Sequence, residues 1–166
     1  MDKSRLKKIK ALVTDVDGVL TDAMIWWDSD KQWKRKFSVR DGVGLKLLME
    51  SGYKIGVITG GRSEDVQTRM KFLGVHYFYD GISGDKLEPF QDLLKQSGLQ
   101  PSEILYIGDE VYDVSVMKIC GIGVTVPDAV EEAKEAAHYV TKVPGGFGAV
   151  REVCDLIRKH GFYSAL

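Results

Sequence analysis

The sequence predicts an α/β fold, a central parallel sheet whose strands are joined through helices. Short apolar runs of the buried-strand type recur at 9–14, 55–59, 104–107 and 122–126, amphipathic stretches stand between them, and turns rich in Gly, Ser or Asp separate the two. Strands alternating with helices give a parallel sheet with right-handed crossovers, because a twisted strand feeding a helix packs back on its sheet in that hand. With 166 residues and 44% hydrophobic content the chain can bury one sizeable core. Residues 1–166 are therefore expected to be a single domain, carrying a hairpin flap at about 23–39 and a tail at about 144–166.

The run 9–14 enters DVDGVLT at 15–21 directly, as a first strand closing in a glycine turn. Residues 23–27 and 32–39 are aromatic and β-prone around the polar DSDK at 28–31, which predicts a β-hairpin. From Asp41 the period becomes helical, with Val43, Leu47 and Leu48 as the apolar stripe and Ser51 and Gly52 as the stop. A strand at 55–59 follows. Ser63 is a candidate N-cap, with Glu64 and Asp65 suited to the positive end of a helix reaching Leu73. After a short strand at 77–79, Pro89 fits the first turn of a helix with the stripe Phe90, Leu93 and Leu94, and Gly98 ends it. Then come a strand at 104–107, a helix at 111–119, a strand at 122–126, a helix at 130–137 and a short strand at 139–140. An amphipathic helix at 150–158 closes the chain after Gly145 and Gly146.

Twenty-three Lys and Arg against 24 Asp and Glu leave a formal charge of −1, without the basic excess that nucleic acid binding requires. Lys3, Arg5, Lys7, Lys8 and Lys10 resemble the start of a signal peptide, but Asp15 and Asp17 interrupt the apolar run behind them, so neither export signal nor membrane span is expected. Cys120 and Cys154 lack the spacing of a zinc site or a disulfide framework and suit core positions in a reducing cytoplasm.

Chemistry concentrates at strand ends. Asp15 and Asp17 are delivered into a Gly turn at the end of the first strand, where the backbone can turn both carboxylates into one pocket. Such a pair suits phosphoryl transfer: one carboxylate attacks, the other moves protons, and a divalent ion screens the repulsion between nucleophile and phosphate. An ordinary Asp-Gly turn after a buried strand is the blander origin of the same residues. In an open parallel sheet ligands bind beyond the carboxyl ends of the strands, which selects two more places. Thr59 offers a hydroxyl and the Gly60–Gly61 turn offers N–H groups to phosphate, or the turn simply joins strand to helix. In GDEVYD at 108–113, Asp109 suits a metal and Asp113 a position one helical turn away that orients it, whereas helix capping explains one Asp more readily than two. Lys86, in GDKL at 84–87, could bridge nucleophile and phosphate, although a lone Lys is usually solvated surface.

In this order, DVDGVLT, then TG, then Lys, then GDxxxD, the chain resembles the haloacid dehalogenase superfamily over nearly its whole length. That resemblance implies a three-layer Rossmann-like fold, Asp15 as nucleophile and Asp17 as acid/base. It also implies Mg2+ held by the Asp15 and Asp109 carboxylates and the Asp17 carbonyl, phosphate held by Thr59, Gly60 and Lys86, and Asp113 orienting the metal or Lys86. Only the hairpin separates Asp17 from the first long helix, where most members insert a cap domain. FSVRDGVG at 37–44, Lys86 with Leu87, and GGFGAVRE at 145–152 make the chain similar to the capless 3-deoxy-D-manno-octulosonate 8-phosphate phosphatases and their relatives acting on nine-carbon ulosonic acid phosphates. That group implies a small-molecule sugar phosphate substrate, a cytoplasmic homotetramer built through the hairpins, and a neighbour closing each site. Trp26, Trp27, Trp33 and Phe37 fit it, being more aromatic surface than one small flap can bury, unless they pack on their own subunit.

Two positions depart from the group. Gly61 and Phe147 stand where its pattern carries Arg, so two guanidiniums suited to a sugar carboxylate are missing; Arg62 is adjacent to the first and is either a substitute or a solvated helix-start residue. Two other functions compete with phosphatase. A signalling receiver domain also uses acidic residues, Thr and Lys, but places its acidic pair on the first strand and its acceptor Asp on a later one. A noncatalytic oligomerisation module associated with sugar-nucleotide synthesis has less need of Asp15, Asp17, Lys86 and Asp109.

Overall fold

Residues 2–163 are described in the computed structural model, so Met1 and the last three residues of the expected tail, 164–166, lie outside the described residues. Among the described residues eight strands and seven α-helices follow one another as α1 (Lys3–Leu6), β1 (Ala11–Thr14), β2 (Trp26–Trp27), β3 (Trp33–Lys34), α2 (Val39–Glu50), β4 (Lys54–Ile58), α3 (Glu64–Leu73), β5 (Tyr77–Tyr79), α4 (Leu87–Ser97), β6 (Ile104–Ile107), α5 (Val114–Ile119), β7 (Ile122–Thr125), α6 (Glu131–Ala136), β8 (Tyr139–Val140) and α7 (Ala149–His160). Six strands form one sheet in the order β5-β4-β1-β6-β7-β8, and every pairing in it is parallel. The expected α/β class is therefore the observed one.

Both faces of the sheet are covered, which is why β1, β6 and β7 are buried throughout and mostly apolar instead of alternating with polar residues. Their side chains still alternate in direction. Leu12, Leu105 and Ile107 join a core with Leu45 and Leu48 of α2, Val66 and Met70 of α3, and Val153 and Ile157 of α7. Val13, Ile104 and Tyr106 join a second core with Phe90 and Leu93 of α4, Val116 and Met117 of α5, and Ala133 of α6. Those are the two helical layers.

Four local expectations change. The expected stripe on α2 is Val43, Leu47 and Leu48, but Val43 is exposed and the buried apolar side chains are Leu45 and Leu48; α2 also starts earlier than Asp41, with Ser38 as its N-cap. The Ser38 hydroxyl accepts the Asp41 N–H at 3.3 Å, so residues at the end of the expected second hairpin strand belong to a helix start. The hairpin is also shorter than its β-prone sequence, pairing only Trp26 with Lys34 and Trp27 with Trp33. The expected helix at 111–119 begins as a tight 3-10 turn, Val111–Asp113, and becomes α-helical only at Val114. The basic N-terminus, for its part, holds the short helix α1, which docks Leu6 in the core.

Candidate active site

β1 lies between β4 and β6, where the chain order along the sheet reverses and the following connections leave a crevice. Asp15 extends the ladder by one residue, its N–H donating to the Ile107 carbonyl at 2.9 Å. The chain then wraps around one carbonyl, as Val19, Leu20 and Thr21 all donate N–H to Val16 O at 2.9–3.2 Å. Gly18 sits in this turn with φ 86°, and a Cβ there would collide with the Asp109 carboxylate. Glycine is thus required both for the turn and for the approach of the loop after β6.

That approach assembles a buried cluster. Lys86 Nζ lies 2.9 Å from Asp15 Oδ1, close enough for an ion pair although misaligned for a hydrogen bond, and donates to Asp113 Oδ1 at 2.8 Å. Tyr106 donates its hydroxyl to the same Asp113 oxygen at 2.6 Å, while the N–H groups of Asp109 and Glu110 donate to Asp113 Oδ2, both at 3.1 Å. Asp15, Asp109 and Asp113 each present an oxygen within 4.8 Å of the others. Asp109 Oδ1 is buried without a hydrogen-bond partner among the described residues.

Charge is crowded here. Burial, only partly offset by Lys86 and reinforced by Asp113, pushes the Asp15 carboxyl up to about 6. Burial and the neighbouring Asp15 and Asp113 carboxylates push Asp109 up to about 8. For Lys86, burial alone would lower the ammonium, but Asp15 and Asp113 outweigh it and hold it above its usual range. Excess negative charge, an all-oxygen donor set and an orphaned buried oxygen together fit a hard divalent cation.

The other expected residues fall in different places. Asp17 is half-buried beside this cluster, and its carboxylate is taken up by Arg35 of the flap, with Arg35 Nη2 donating to Oδ2 at 3.0 Å. Thr59 is buried at the end of β4, accepting the Gly61 N–H at 3.2 Å, and Gly60 lies exposed beside it. Arg62 is not gathered in: its side chain is 75% exposed and lies 3.7 Å from Asp80. Phe147 is exposed in the turn before α7. At Gly61 the space a side chain would need is filled, since a Cβ would meet Arg35 Nη2 at 2.9 Å.

Arg35 and Tyr106 are the two residues at this site that the sequence did not single out. Tyr106 reads as one more apolar strand residue, and only its hydroxyl, stranded in a buried run, signals a partner. Arg35 carries no local signal, because Asp17, its partner, is 18 residues away.

The chain is similar to known proteins in sequence and fold. Residues 29–126 match the haloacid dehalogenase-like hydrolase family. The chain belongs to that family. A 3-deoxy-D-manno-octulosonate 8-phosphate phosphatase of Yersinia pestis is 42% identical over 153 residues, 92% of this chain and 81% of the relative. The Escherichia coli K12 enzyme of the same name is 39% identical over 154 residues, 93% of this chain and 81% of its own. A Moraxella catarrhalis structure of the same phosphatase, described as a complex with magnesium, phosphate and KDO, superposes with a TM-score of 0.92 at 38% identity, covering 98% of this chain and 94% of that one. Within the haloacid dehalogenase-like hydrolases the chain is thus a member of the octulosonate phosphatase group.

Proposed function

We propose that this chain is a Mg2+-dependent phosphomonoesterase that hydrolyses 3-deoxy-D-manno-octulosonate 8-phosphate or a related ulosonic acid phosphate, such as a nine-carbon 9-phosphate. The observation that carries this is the buried Asp15 held 2.9 Å from Lys86 at the sheet's switch point, beside the partnerless Asp109 oxygen. The Asp15 and Asp109 carboxylates and the Asp17 carbonyl would hold Mg2+, which supplies positive charge against the repulsion between carboxylate and phosphate.

Asp15 attacks phosphorus, the bond from phosphorus to the sugar oxygen breaks, and an aspartyl phosphate forms on Asp15. Asp17 gives the departing oxygen its proton, then takes one from the water that releases inorganic phosphate and restores Asp15. Lys86 supplies fixed positive charge next to the nucleophile, and Thr59 with the Gly60 turn receives phosphate oxygens. Asp113 holds Lys86 and the Asp109 loop through its four donors.

The exposed aromatic flap supports a homotetramer in which hairpins meet and a neighbour covers the sugar, and the two unpaired cysteines, both buried, suit the cytoplasm. Among the described residues no helix is long and apolar enough to cross a membrane.

The test is phosphate release from the octulosonate phosphate by wild type, by Asp15→Asn and by chelated protein. Wild type should turn over with Mg2+, the chelated sample should recover when Mg2+ returns, and Asp15→Asn should be inactive while folded. A fully active Asp15→Asn protein, checked for deamidation, would reject the nucleophile; a wild type inert toward every sugar phosphate would favour the noncatalytic module.

A further inference from the structure

Arg35 stands on an otherwise exposed flap, yet its side chain is only 7% exposed, because the guanidinium is pressed into the body of the protein. Nε donates to Asp17 Oδ1 and Nη2 to Asp17 Oδ2, the fork geometry in which guanidinium and carboxylate match best. Nη1 donates to Ser63 Oγ at 2.9 Å and to Asp65 Oδ1 at 3.4 Å. One planar group therefore joins the flap, the turn after β1 and the start of α3.

Two further observations show that the surroundings are shaped to this group. Ser63 occupies the N-cap position of α3 but makes no side-chain cap; its hydroxyl instead accepts from Arg35 and donates to Asp65. A Cβ on residue 61 would lie 2.9 Å from Arg35 Nη2 and 3.1 Å from Asp17 Oδ2, so with any side chain at 61 the guanidinium or its carboxylate partner would have to shift from this position.

A guanidinium has five N–H donors, and four are committed to Asp17, Ser63 and Asp65. It has little left to offer a substrate anion. Asp17, by contrast, has lone pairs beyond the two that the fork uses. We propose that Arg35 is a positioning residue, whose fork docks the flap and aims the Asp17 carboxylate, with Gly61 providing the space. The inference rests on the acid/base reading of Asp17. It also gives Gly61 a role: a side chain placed there would crowd the group that orients Asp17.

Kinetics of the full chain with Mg2+ and octulosonate phosphate test this, with thermal melts confirming that each variant folds. Arg35→Ala should lower kcat about tenfold or more while KM moves less than about twofold, because misplacing a reacting group acts on the chemical step. Arg35→Lys keeps the charge without the fork and should fall nearly as far. Gly61→Ala, which keeps Arg35 but crowds it, should lose kcat as well, and the double variant should be no worse than the poorer single one. Guanidinium ion in solution should restore part of the Arg35→Ala rate and none of the Gly61→Ala rate. Multiplying losses in the double variant, a loss confined to KM, or a wild-type kcat in Arg35→Ala would overturn the proposal. Docking has its own readout: endoproteinase Lys-C, which cleaves after lysine and not after arginine, should cut the flap faster in Arg35→Ala and Gly61→Ala, and unchanged cutting would overturn the docking without any appeal to turnover. An inactive wild type would instead reject the phosphatase reading and with it the aiming of Asp17.

Discussion

Four donors converge on the Asp113 carboxylate, from Lys86, Tyr106 and the N–H groups of Asp109 and Glu110, and the side chain is fully buried. Removing it strands an ammonium, a hydroxyl and two amides, and breaking a buried ion pair from one side costs about 3–5 kcal/mol. Asp113→Ala should therefore lose that much in a urea unfolding titration and lose activity as Lys86 and the Asp109 loop drift. Tyr106→Phe removes one neutral donor and should cost about 0.5–1.5 kcal/mol. Equal costs for the two would contradict the network. At this scale Asp15, Asp17, Asp109 and Asp113 were legible in the sequence, because each sits in a short motif at a strand end. The contact of Arg35 with Asp17 was not, because it depends on how the flap folds back over the body.

Elements were legible in proportion to how much of their pattern is local. β1, β6 and β7, and β4 beyond its exposed Lys54, are buried on both faces, and they fall within the apolar runs or shifted slightly from them. The hairpin read longer than it is, because β-propensity records fit to a half-buried pleated surface and the flap has no second layer to lie on. It is held to the body by Phe37, which packs against the core, by Arg35 and by the Gln32 amide donating to Glu64 at 2.8 Å. Trp26, Trp27 and Trp33 remain 42%, 56% and 47% exposed, and Trp27 meets Trp33 edge-on at 5.0 Å, so they do not bury themselves on their own subunit. If hairpins meet in a tetramer, Trp26→Glu and Trp27→Glu should dissociate it, since each charge would have to be desolvated in the contact. Sedimentation and activity should fall together on the same samples, because a capless site needs a neighbour to exclude water. A wild type fully active as a monomer at assay concentration would reject the shared site and leave the Asp15 chemistry standing.

Across the whole molecule, the fold brings three distant chain segments to one switch point, and it must hold the carboxylates of two of them, Asp15 and the Asp109–Asp113 loop, together against their own repulsion. Asp15 and Asp109 are raised from the usual 3.8 to about 6 and about 8. A raised carboxyl means that the folded state binds protons more tightly than the unfolded one, so metal-free stability is present at low pH and falls as pH climbs from about 4 to about 8. A divalent cation needs those same carboxylates deprotonated, so its stabilisation should grow across the window in which the metal-free protein weakens. At a hundredfold excess over Kd the gain is about 2.7 kcal/mol, and each kcal/mol is worth about 2–4 °C in a chain of this size. Melts with and without Mg2+ should therefore separate little at pH 5 and widely at pH 8.5, and Asp109→Asn should lose most of the separation while flattening the metal-free pH dependence. An equal Mg2+ shift at both pH values, or one that survives Asp109→Asn intact, would place the cation somewhere other than between these carboxylates.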